Sequence, residues 1–366
     1  GAGVAATPKV DFFAPSALPG GAAPGRGGVA LADVAAGEAL LEIPLQACLT
    51  PMQVPDAPEF MDEQQKLMLR LLHEDLVAGE ESGWRAYLAT MPRAFPTVPL
   101  WWTPEERALL RGTSVDALLA GRHIASAEDL QAIALWCGAR PELFPPRPDG
   151  SARVGLGELR WAASVVASRA FESAVAGVAL VPFADALNHS GSRPHTRMRD
   201  CGHVLRFFAE ADIRPGEEVM NCYGENGNAQ WLLNGGFIDQ ANPFEDVPVA
   251  PSDVVSVALA GVRADAGAEA PDALARLGAL QEAGLLGGEP FGVRMDDLLP
   301  DGLATVALVL CMSDAEFAEY QERGRALIDL AEEELAPELL RRLYEAVLGL
   351  VDLLLSRYTT SLAEDE

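Results

Sequence analysis

Residues 178–190 of the chain read VALVPFADALNHS, an apolar run that ends in a cluster of polar side chains. The run predicts a strand, because apolar residues follow one another without interruption. Asp185, Asn188 and His189 lie just beyond its end. Polar side chains at such a place either cap a turn or form a site, and this segment alone does not separate the two.

A second segment, residues 215–237, reads PGEEVMNCYGENGNAQWLLNGGF. A turn at 214–216 precedes a predicted strand over residues 217–223, which ends on Tyr223. A tyrosine beside a glycine is usually a core residue whose hydroxyl has a hydrogen-bond partner. A catalytic phenol is the alternative.

Two further short segments also have a plain and a functional interpretation. Residues 24–28, Pro-Gly-Arg-Gly-Gly, predict a turn, but glycines also let a backbone approach a ligand closely. Residues 168–171, Ser-Arg-Ala-Phe, end an apolar helix predicted over 157–171. Arg169 could bind a carboxylate through two hydrogen bonds, or form a surface ion pair at the helix end.

The 366 residues give room for about two domains. Strands are predicted within 26–50 and over 203–209, whereas apolar spacing predicts helices within 59–89, 105–120 and 127–140. A helix start is predicted at Thr103, which is followed by Pro104 and two acidic residues. After residue 245 the pattern is helical. The last helix is predicted to begin at Pro337, and an apolar stripe on it is formed by Leu340, Leu343, Val347, Leu350 and Leu354.

These patterns predict a β unit over residues 1–245 that is interrupted by a helical insert, followed by a helical lobe over residues 246–366. Within the β unit, the expected parts are a first core segment over 24–57, the insert over 58–156 and a second core segment over 157–245.

The chain is strongly acidic: 54 Asp and Glu against 27 Lys and Arg give a net charge of −27. This balance argues against a nucleic-acid partner and against docking on an anionic membrane, because an acidic face binds neither. Residues 251–366 alone carry 23 acidic residues and eight arginines, more than half of the excess. The acidity therefore favours a separate C-terminal unit and a basic protein partner.

Five scattered cysteines without a C-x-x-C pair exclude a thiolate zinc cluster of ordinary spacing and fit a reducing compartment. A metal site could still be built on His195, Cys201 and His203, but a polar loop and a strand edge explain these residues better. No metal is therefore expected. No apolar run reaches the ~18 residues that a membrane span needs.

Taken together and in order, four segments resemble the SET-domain protein methyltransferases, and more narrowly the plant Rubisco large-subunit lysine methyltransferase-like branch. The matching text is GRGGVALADVAAGEALLEIP at 25–44, SVVASRAF at 164–171, and the two segments quoted first. The resemblance covers residues 24–245. It implies that residues 1–245 are the SET domain and that residues 246–366 are a helical, Rubisco-methyltransferase-like substrate-binding lobe. It implies an α+β SET-domain fold with a helical insert and a pseudoknot-like crossing of the Asn188 and Tyr223 segments, followed by an all-helical C-terminal lobe.

The resemblance also implies S-adenosylmethionine (AdoMet) as methyl donor and gives roles to individual residues. The residues expected at the cofactor are Pro24, Gly25, Arg26, Arg169, Asn188, His189 and Phe237. Arg169, Asp185 and Tyr223 are expected on the substrate side, with Tyr223 as the catalytic candidate. Attack of a neutral amine on the methyl group needs no covalent enzyme intermediate, so positioning and electrostatics dominate. The base that takes the substrate proton stays open between a water route and Tyr223.

Two departures from the branch concern the substrate side. A second tyrosine often precedes the Gly-Phe pair, where this chain has Asn234 and Gly235, and a basic residue often stands where it has Ser173. We predict a protein-lysine N-methyltransferase. The alternatives are a non-catalytic SET-domain scaffold that binds a protein partner and a histidine-directed methyltransferase.

Analogy with the branch predicts the Rubisco large subunit or another chloroplast enzyme as substrate. It predicts a monomer in the chloroplast stroma, with the cytoplasm as the alternative location. The chain begins at Gly1, so a processed or trimmed N-terminus is expected. Fold and cofactor by themselves do not fix the substrate.

Overall fold

The structure is a computed structural model. It describes the following residues: 3–16, 25–54, 56–120, 127–266, 273–287, 290–322, 335–358 and 360–365. The chain divides into two compact units. The first comprises residues 1–107 and 118–243, and the second comprises residues 108–117 and 244–366. No helix in the described part is both long and apolar enough to cross a bilayer.

The strands of the first unit are β1 (Ala5–Ala6), β2 (Val10–Ser16), β3 (Gly25–Ala30), β4 (Ala39–Pro44), β5 (Ala170–Ser173), β6 (Gly177–Leu180), β7 (Thr196–Asp200), β8 (Val204–Ala209) and β9 (Glu218–Val219). They form a sheet of order β1-β4-β8-β7, a sheet of order β2-β3-β9 and the pair β5-β6. All neighbouring strands are antiparallel. The two strands predicted within 26–50 therefore enter different sheets.

The strand predicted over 217–223 is much shorter in the structure, where β9 ends at Val219. The reason is that the next two residues bond to other segments. The Met220 carbonyl accepts from the His195 amide at 2.8 Å, and the Asn221 amide donates to the Asn188 carbonyl at 2.8 Å. The chain thus leaves the β3 edge just before Tyr223.

The helices up to residue 243 are α1 (Glu63–His73), α2 (Arg85–Leu88), α3 (Pro104–Ala108), α4 (Ser114–Ala120), α5 (Ala127–Gly138), α6 (Leu156–Arg169) and α7 (Asn228–Gly235). The helix start predicted at Thr103 is confirmed, since its hydroxyl accepts from the Glu106 amide. The helical pattern over 59–89 is interrupted, because α1 passes into a π-helical turn and Gly79 adopts φ +51°.

Helix α6 is buried on nearly all sides. Seven of its residues are buried, and it packs against α1, whose apolar residues also face the core. Burial of a Leu or Val side chain contributes ~1.5–3 kcal/mol, so such a helix is firmly fixed. Its last residue is Arg169, which the core therefore holds at a fixed place.

The second unit contains α8 (Pro251–Ala266), α9 (Ala273–Glu282), α10 (Asp301–Cys311), α11 (Asp314–Glu322), α12 (Pro337–Ser356) and α13 (Leu362–Asp365). It also contains β10 (Val247–Val249) and β11 (Phe291–Val293), which pair antiparallel. The all-helical expectation for this lobe is therefore corrected by one short ribbon. Three-residue segments such as Val-Pro-Val and Phe-Gly-Val are too short to show a strand period in sequence.

Helix α12 begins at Pro337, as predicted, and turns its expected stripe to the core of the second unit. Leu343 and Leu350 are buried, and Leu340, Val347 and Leu354 pack partly buried against the same cluster. The residues Tyr344, Leu348, Val351 and Leu355 form a second apolar stripe on the same helix, and they are exposed.

Candidate active site

A short 3-10 turn, Ala184–Ala186, follows the strand of the opening segment and carries Asp185. The residue before it, Phe183, has φ +70° although it is not glycine, which is an unfavourable backbone for a bulky side chain. Its ring packs edge-on against the rings of Phe12 and Phe13. Backbone strain of this kind persists where the surroundings fix it, often at functional sites.

The Asp185 carboxylate is buried in this turn, with 5 % of its side chain exposed. Its Oδ2 atom accepts from Arg169 Nη1 at 3.3 Å, and its backbone oxygen accepts from the same nitrogen at 3.0 Å. The Tyr87 hydroxyl also donates to Oδ2, at 3.0 Å. Burial raises the pKa of Asp185, while Arg169 and the Tyr87 hydrogen bond oppose that increase.

Tyr223 lies against the end of the same turn. Its hydroxyl donates to the Leu187 carbonyl at 2.6 Å, and its amide donates to His189 Nδ1 at 3.1 Å. Burial raises the pKa of Tyr223 well above its ordinary range, so the phenol is neutral at neutral pH. Tyr223 therefore fits both interpretations of the sequence: it is half-buried with its hydroxyl hydrogen-bonded, and it also faces Arg169 and Asp185.

The Asn188 and Tyr223 segments meet side by side, as the resemblance implies. His189 and Asn221 form a parallel bridge, in which the Ser190 amide donates to the Asn221 carbonyl at 2.9 Å. The buried Asn221 side chain accepts from the Thr196 hydroxyl at 3.1 Å. This pairing brings two segments that are distant in sequence to one place.

His189 forms an aromatic cluster with Tyr223, Trp231 and Phe237. Its ring centroid lies 4.8 Å from that of Trp231 and 5.1 Å from that of Tyr223, and Trp231 stacks on Phe237 at 5.8 Å. Burial lowers the pKa of His189, and Asp239 opposes the decrease. A neutral imidazole is required here, because Nδ1 accepts the Tyr223 amide.

The glycine-rich strand β3 runs along the other side of the turn. Asn188 Nδ2 donates to the Arg26 carbonyl at 2.9 Å and to Glu218 Oε1 at 2.6 Å. A Cβ at Gly28 would lie 2.6 Å from Leu187, and one at Gly27 would overlap Glu218. A side chain at either position would displace Leu187 or Glu218, so the two glycines favour this close approach of β3 to the turn.

The structure places the predicted cofactor residues as follows. Gly25 and Arg26 begin β3, and Pro24 lies outside the described residues. Arg169, Asn188, His189 and Phe237 surround the turn and the aromatic cluster. The described members of the predicted set therefore lie close together. Each contacts the turn, the Tyr223 ring or backbone, or the Asn188 side chain, or is adjacent in sequence to a residue that does.

The donor set fits a ligand such as AdoMet, which carries a carboxylate, a cation and an aromatic base. Arg169 Nε is buried and has no hydrogen-bond partner within the described residues, and the same holds for Trp231 Nε1 and His189 Nε2. A buried donor without a partner costs ~1–3 kcal/mol, so a ligand acceptor would relieve this penalty. The aromatic cluster offers ring faces on which a base can stack.

The metal alternative gains no support. Within the described residues no group of three or more His, Cys, Asp and Glu side chains is arranged to hold a metal ion. His195 instead uses Nδ1 to accept the Met220 amide at 3.1 Å, which fixes the segment before Tyr223.

The structure shows what surrounds the two positions that depart from the branch, Ser173 and the Asn234–Gly235 pair before Gly236. The Ser173 hydroxyl donates to Asp200 at 2.6 Å, on the β5–β6 pair. Gly236 adopts φ +71°, and a Cβ there would overlap Thr97. Gly235 in turn lies under the Phe237 ring, where an added Cβ would come within 2.6 Å of Cε1. The Gly-Gly pair therefore seats Phe237 in its stack on Trp231.

The pattern of the sequence did not indicate Tyr87, Trp231 or Asp239 as site residues. Tyr87 fits the apolar spacing of a helix, and Trp231 fits that of α7. Asp239 accepts the Gly191 amide at 3.1 Å and bonds to Asn228, so it fixes the loop behind His189. No local signal separates such residues from ordinary core and loop positions.

Comparison with known proteins agrees with this geometry. A model of the SET domain matches residues 25–224, and a model described as Rubisco LSMT substrate-binding matches residues 268–366. The chain is 28% identical over 346 residues to the human N-lysine methyltransferase SETD6, covering 86% of this chain and 69% of that protein.

A relative from Arabidopsis thaliana, the chloroplastic [fructose-bisphosphate aldolase]-lysine N-methyltransferase, is 28% identical over 241 residues, or 60% of this chain and 47% of that protein. Among solved structures, the SET domain of LSMT bound to methyllysine and AdoHcy has a TM-score of 0.69 at 20% identity. That match covers 99% of this chain and 80% of the other. At this identity the structural likeness shows the fold.

The predicted α+β SET-domain fold is therefore confirmed. Since the SET-domain model spans more than half of the 366 residues, the chain belongs to the SET-domain family, in the branch that carries a Rubisco LSMT substrate-binding domain.

Proposed function

We propose that the chain is an AdoMet-dependent protein-lysine N-methyltransferase. The observation that carries this proposal is the buried turn that holds Arg169, Asp185 and the Tyr223 hydroxyl together, in a chain of the SET-domain family. The relatives named above are N-lysine methyltransferases.

AdoMet, when bound, supplies an electrophilic methyl group on a sulfonium cation. Arg169 would hold its carboxylate through Nε, and Asn188, His189 and Phe237 would line the nucleoside part. The backbone of β3 can approach it closely, since Gly27 and Gly28 have no side chains.

Tyr223 orients the substrate nitrogen. Its proton is committed to the Leu187 carbonyl, so its oxygen lone pairs remain to accept a hydrogen bond from the amine. The raised pKa makes the phenol a poor base at neutral pH, because the phenolate would be buried. Of the two routes left open by the sequence, the geometry favours loss of the substrate proton to water.

Lysine is the proposed acceptor. The actin-histidine N-methyltransferase of Drosophila melanogaster is also a relative, at 25% identity over 254 residues, but it covers only 62% of this chain. The SETD6 relative covers more of this chain at higher identity. Histidine methylation and a non-catalytic scaffold remain the alternative outcomes of the experiment below.

The proposed substrate is a protein with a basic face around the target lysine, because the chain carries a net charge of −27. A chloroplast enzyme such as the Rubisco large subunit, and a location in the chloroplast stroma, are the finer proposals. The chloroplastic relative supports them. The cytoplasm is the alternative location, because the SETD6 relatives of equal identity come from animals, which have no chloroplasts.

The experiment is methyl transfer from labelled AdoMet to chloroplast and cytosolic protein extracts, with mass-spectrometric identification of the modified residue. Methyllysine supports the proposal, and the fraction that contains it decides the location. Methylhistidine or AdoMet binding without transfer would establish an alternative instead. Absence of both binding and transfer would overturn the proposal.

A further inference from the structure

Tyr87 comes from the helical insert but reaches the turn that carries Asp185. It lies on the short helix α2, 98 residues before Asp185 in sequence, and its hydroxyl is 3.0 Å from Asp185 Oδ2. The sequence pattern treats it as one more apolar residue of a helix. In the structure it is a polar partner of a buried carboxylate.

Asp185 depends on this hydroxyl for a second donor. A carboxylate with 5 % of its side chain exposed must be paired and hydrogen-bonded to remain ionised. Arg169 approaches Oδ2 only at 3.3 Å, beyond the usual range for a charged pair, since the same nitrogen also serves the Asp185 carbonyl at 3.0 Å. Tyr87 is the closer of the two donors to Oδ2.

The segment around α2, residues 84–90, is itself hydrogen-bonded to the SET-domain core. Trp84 Nε1 donates to the Ala47 carbonyl at 3.0 Å, and the Thr90 hydroxyl donates to the Tyr87 carbonyl at 2.7 Å. The Arg26 guanidinium donates to the Thr90 carbonyl. Residues 84–90 therefore contact two expected site residues, Arg26 and Asp185, through adjacent parts of one turn.

We propose that Tyr87 is a positioning residue for methyl transfer, which holds the Asp185 carboxylate against Arg169 and so fixes the turn that receives Tyr223. The proposal rests on the proposed function. The path is short: Leu187 directly follows the turn that carries Asp185, and the Leu187 carbonyl is the acceptor of the Tyr223 hydroxyl at 2.6 Å. A shift of Asp185 would move that acceptor.

The charges around Asp185 give the proposal a pH signature. The groups that face it are Arg169 at the end of α6, Arg26 on β3, Tyr87 on α2 and Tyr223 after β9. Glu218 faces Tyr223, and Cys48 faces Tyr87. Burial raises the pKa of Tyr87 further above its ordinary value, so this hydroxyl stays protonated and donates throughout the working range.

Loss of the Tyr87 hydroxyl should therefore raise the pKa of Asp185, because the carboxylate loses a donor while its burial persists. A purely structural role of the ring would leave that pKa unchanged. This difference separates a positioning role from simple packing.

The test compares Tyr87→Phe with wild type, using labelled AdoMet and the protein substrate found in the extract experiment. We expect kcat/KM to fall about 10- to 100-fold, the effect of losing one hydrogen bond to a charged group. The acid limb of the pH profile of kcat/KM should move to higher pH. Ser151→Ala removes a hydroxyl from an exposed position of the helical insert and should change neither quantity.

A double-mutant cycle with Asp185→Asn gives the second readout. If Tyr87 acts through Asp185, the double variant should be no slower than Asp185→Asn alone, so the two effects do not add. Additive effects, or an unmoved acid limb, would overturn the inference while leaving the proposed function intact. A wild type that transfers no methyl group would overturn the proposed function itself, and the inference with it.

Discussion

The two units of the chain bury different chemistry. In the first unit, the buried polar residues include Glu74, Ser164, His189, Thr196 and Asn221, and three of these lie at the Asn188–Tyr223 crossing. In the described part of the second unit they are Arg276 and Thr305. Helix α10 shows the contrast, since nine consecutive residues from Leu303 to Cys311 are buried and only one of them is polar.

This difference suggests that the first unit carries the catalytic groups and that the second unit contributes mainly a stable hydrophobic core. A buried hydrogen-bonded network specifies one arrangement of groups, but it is costly if one member is lost. An aliphatic core supplies stability that does not depend on direction. The first unit should therefore be sensitive in activity, and the second in stability. The chain offers a convenient probe, because all six tryptophans lie in the first unit: Trp84, Trp101, Trp102, Trp136, Trp161 and Trp231.

The largest effect is expected for Tyr223→Phe. The variant loses the hydroxyl that orients the substrate nitrogen, and kcat should fall about 10²- to 10³-fold, as for removal of one oriented hydrogen-bonding group in other active sites. Single-turnover assays with labelled AdoMet measure this. The far-UV circular dichroism of the variant should match wild type. A loss below about three-fold would contradict the assigned role of Tyr223.

Leu308→Ala should show the opposite behaviour. Leu308 is buried in α10, and truncation of a buried leucine costs ~2–5 kcal/mol because it leaves a cavity. Urea unfolding followed by circular dichroism measures the loss, while tryptophan fluorescence follows the first unit separately. The matched control is Leu348→Ala, since Leu348 is 65% exposed and should change stability by less than about 0.5 kcal/mol. Equal effects of the two variants would show that α10 is not the core of its unit.

Charge reversal on the second unit tests whether that unit also contributes to the reaction through substrate docking. Asp352→Lys combined with Glu322→Lys changes two exposed acids of α12 and α11. The KM for a basic protein substrate should rise several-fold, and the AdoMet affinity from calorimetry should stay as in wild type. If the variant weakens AdoMet binding as much as it raises the KM for the protein substrate, or if it changes neither quantity, the acidity serves solubility alone.

The smallest effect is a dependence of the first unit on pH. Burial lowers the pKa values of His189 and His195 below their ordinary value of 6.5. The unfolded chain then binds protons that the folded unit does not, so stability is fully present above pH 6.5 and decreases as the pH falls below it. The urea midpoint of the tryptophan signal should decrease from pH ~7.5 to pH ~5.5. A midpoint that increases over this interval would show that the Tyr223 amide does not require a neutral His189.

Much of this protein follows from local sequence. Apolar spacing predicts α12 with its core stripe, the Thr103 cap predicts α3, and the run before Pro182 predicts β6. The four ordered motifs predict the family, because each needs residue types that few other folds place in that order. Local patterns suffice here since capping, periodicity and glycine requirements act over a few residues.

Other features depend on contacts that no local pattern contains. The period of α12 predicts the core stripe that contains Leu343, whereas only the structure shows that a second apolar stripe, which contains Leu348, remains exposed. The strand expected up to Tyr223 ends at Val219, because Asn221 finds its partner on the Asn188 segment instead of on β3. Long-range pairing therefore overrides strand propensity at the site.

The sequence by itself determined the candidate residue types for methyl transfer. They are an arginine at a helix end, a carboxylate and an asparagine beyond a strand, and a tyrosine beside a glycine. Only the tertiary structure decided that Tyr87, 98 residues away, completes the hydrogen bonds of Asp185, and that His189 and Trp231 share one aromatic cluster. The physical reason is that a buried carboxylate must find its donors wherever the fold brings them, and distance along the chain does not enter that requirement.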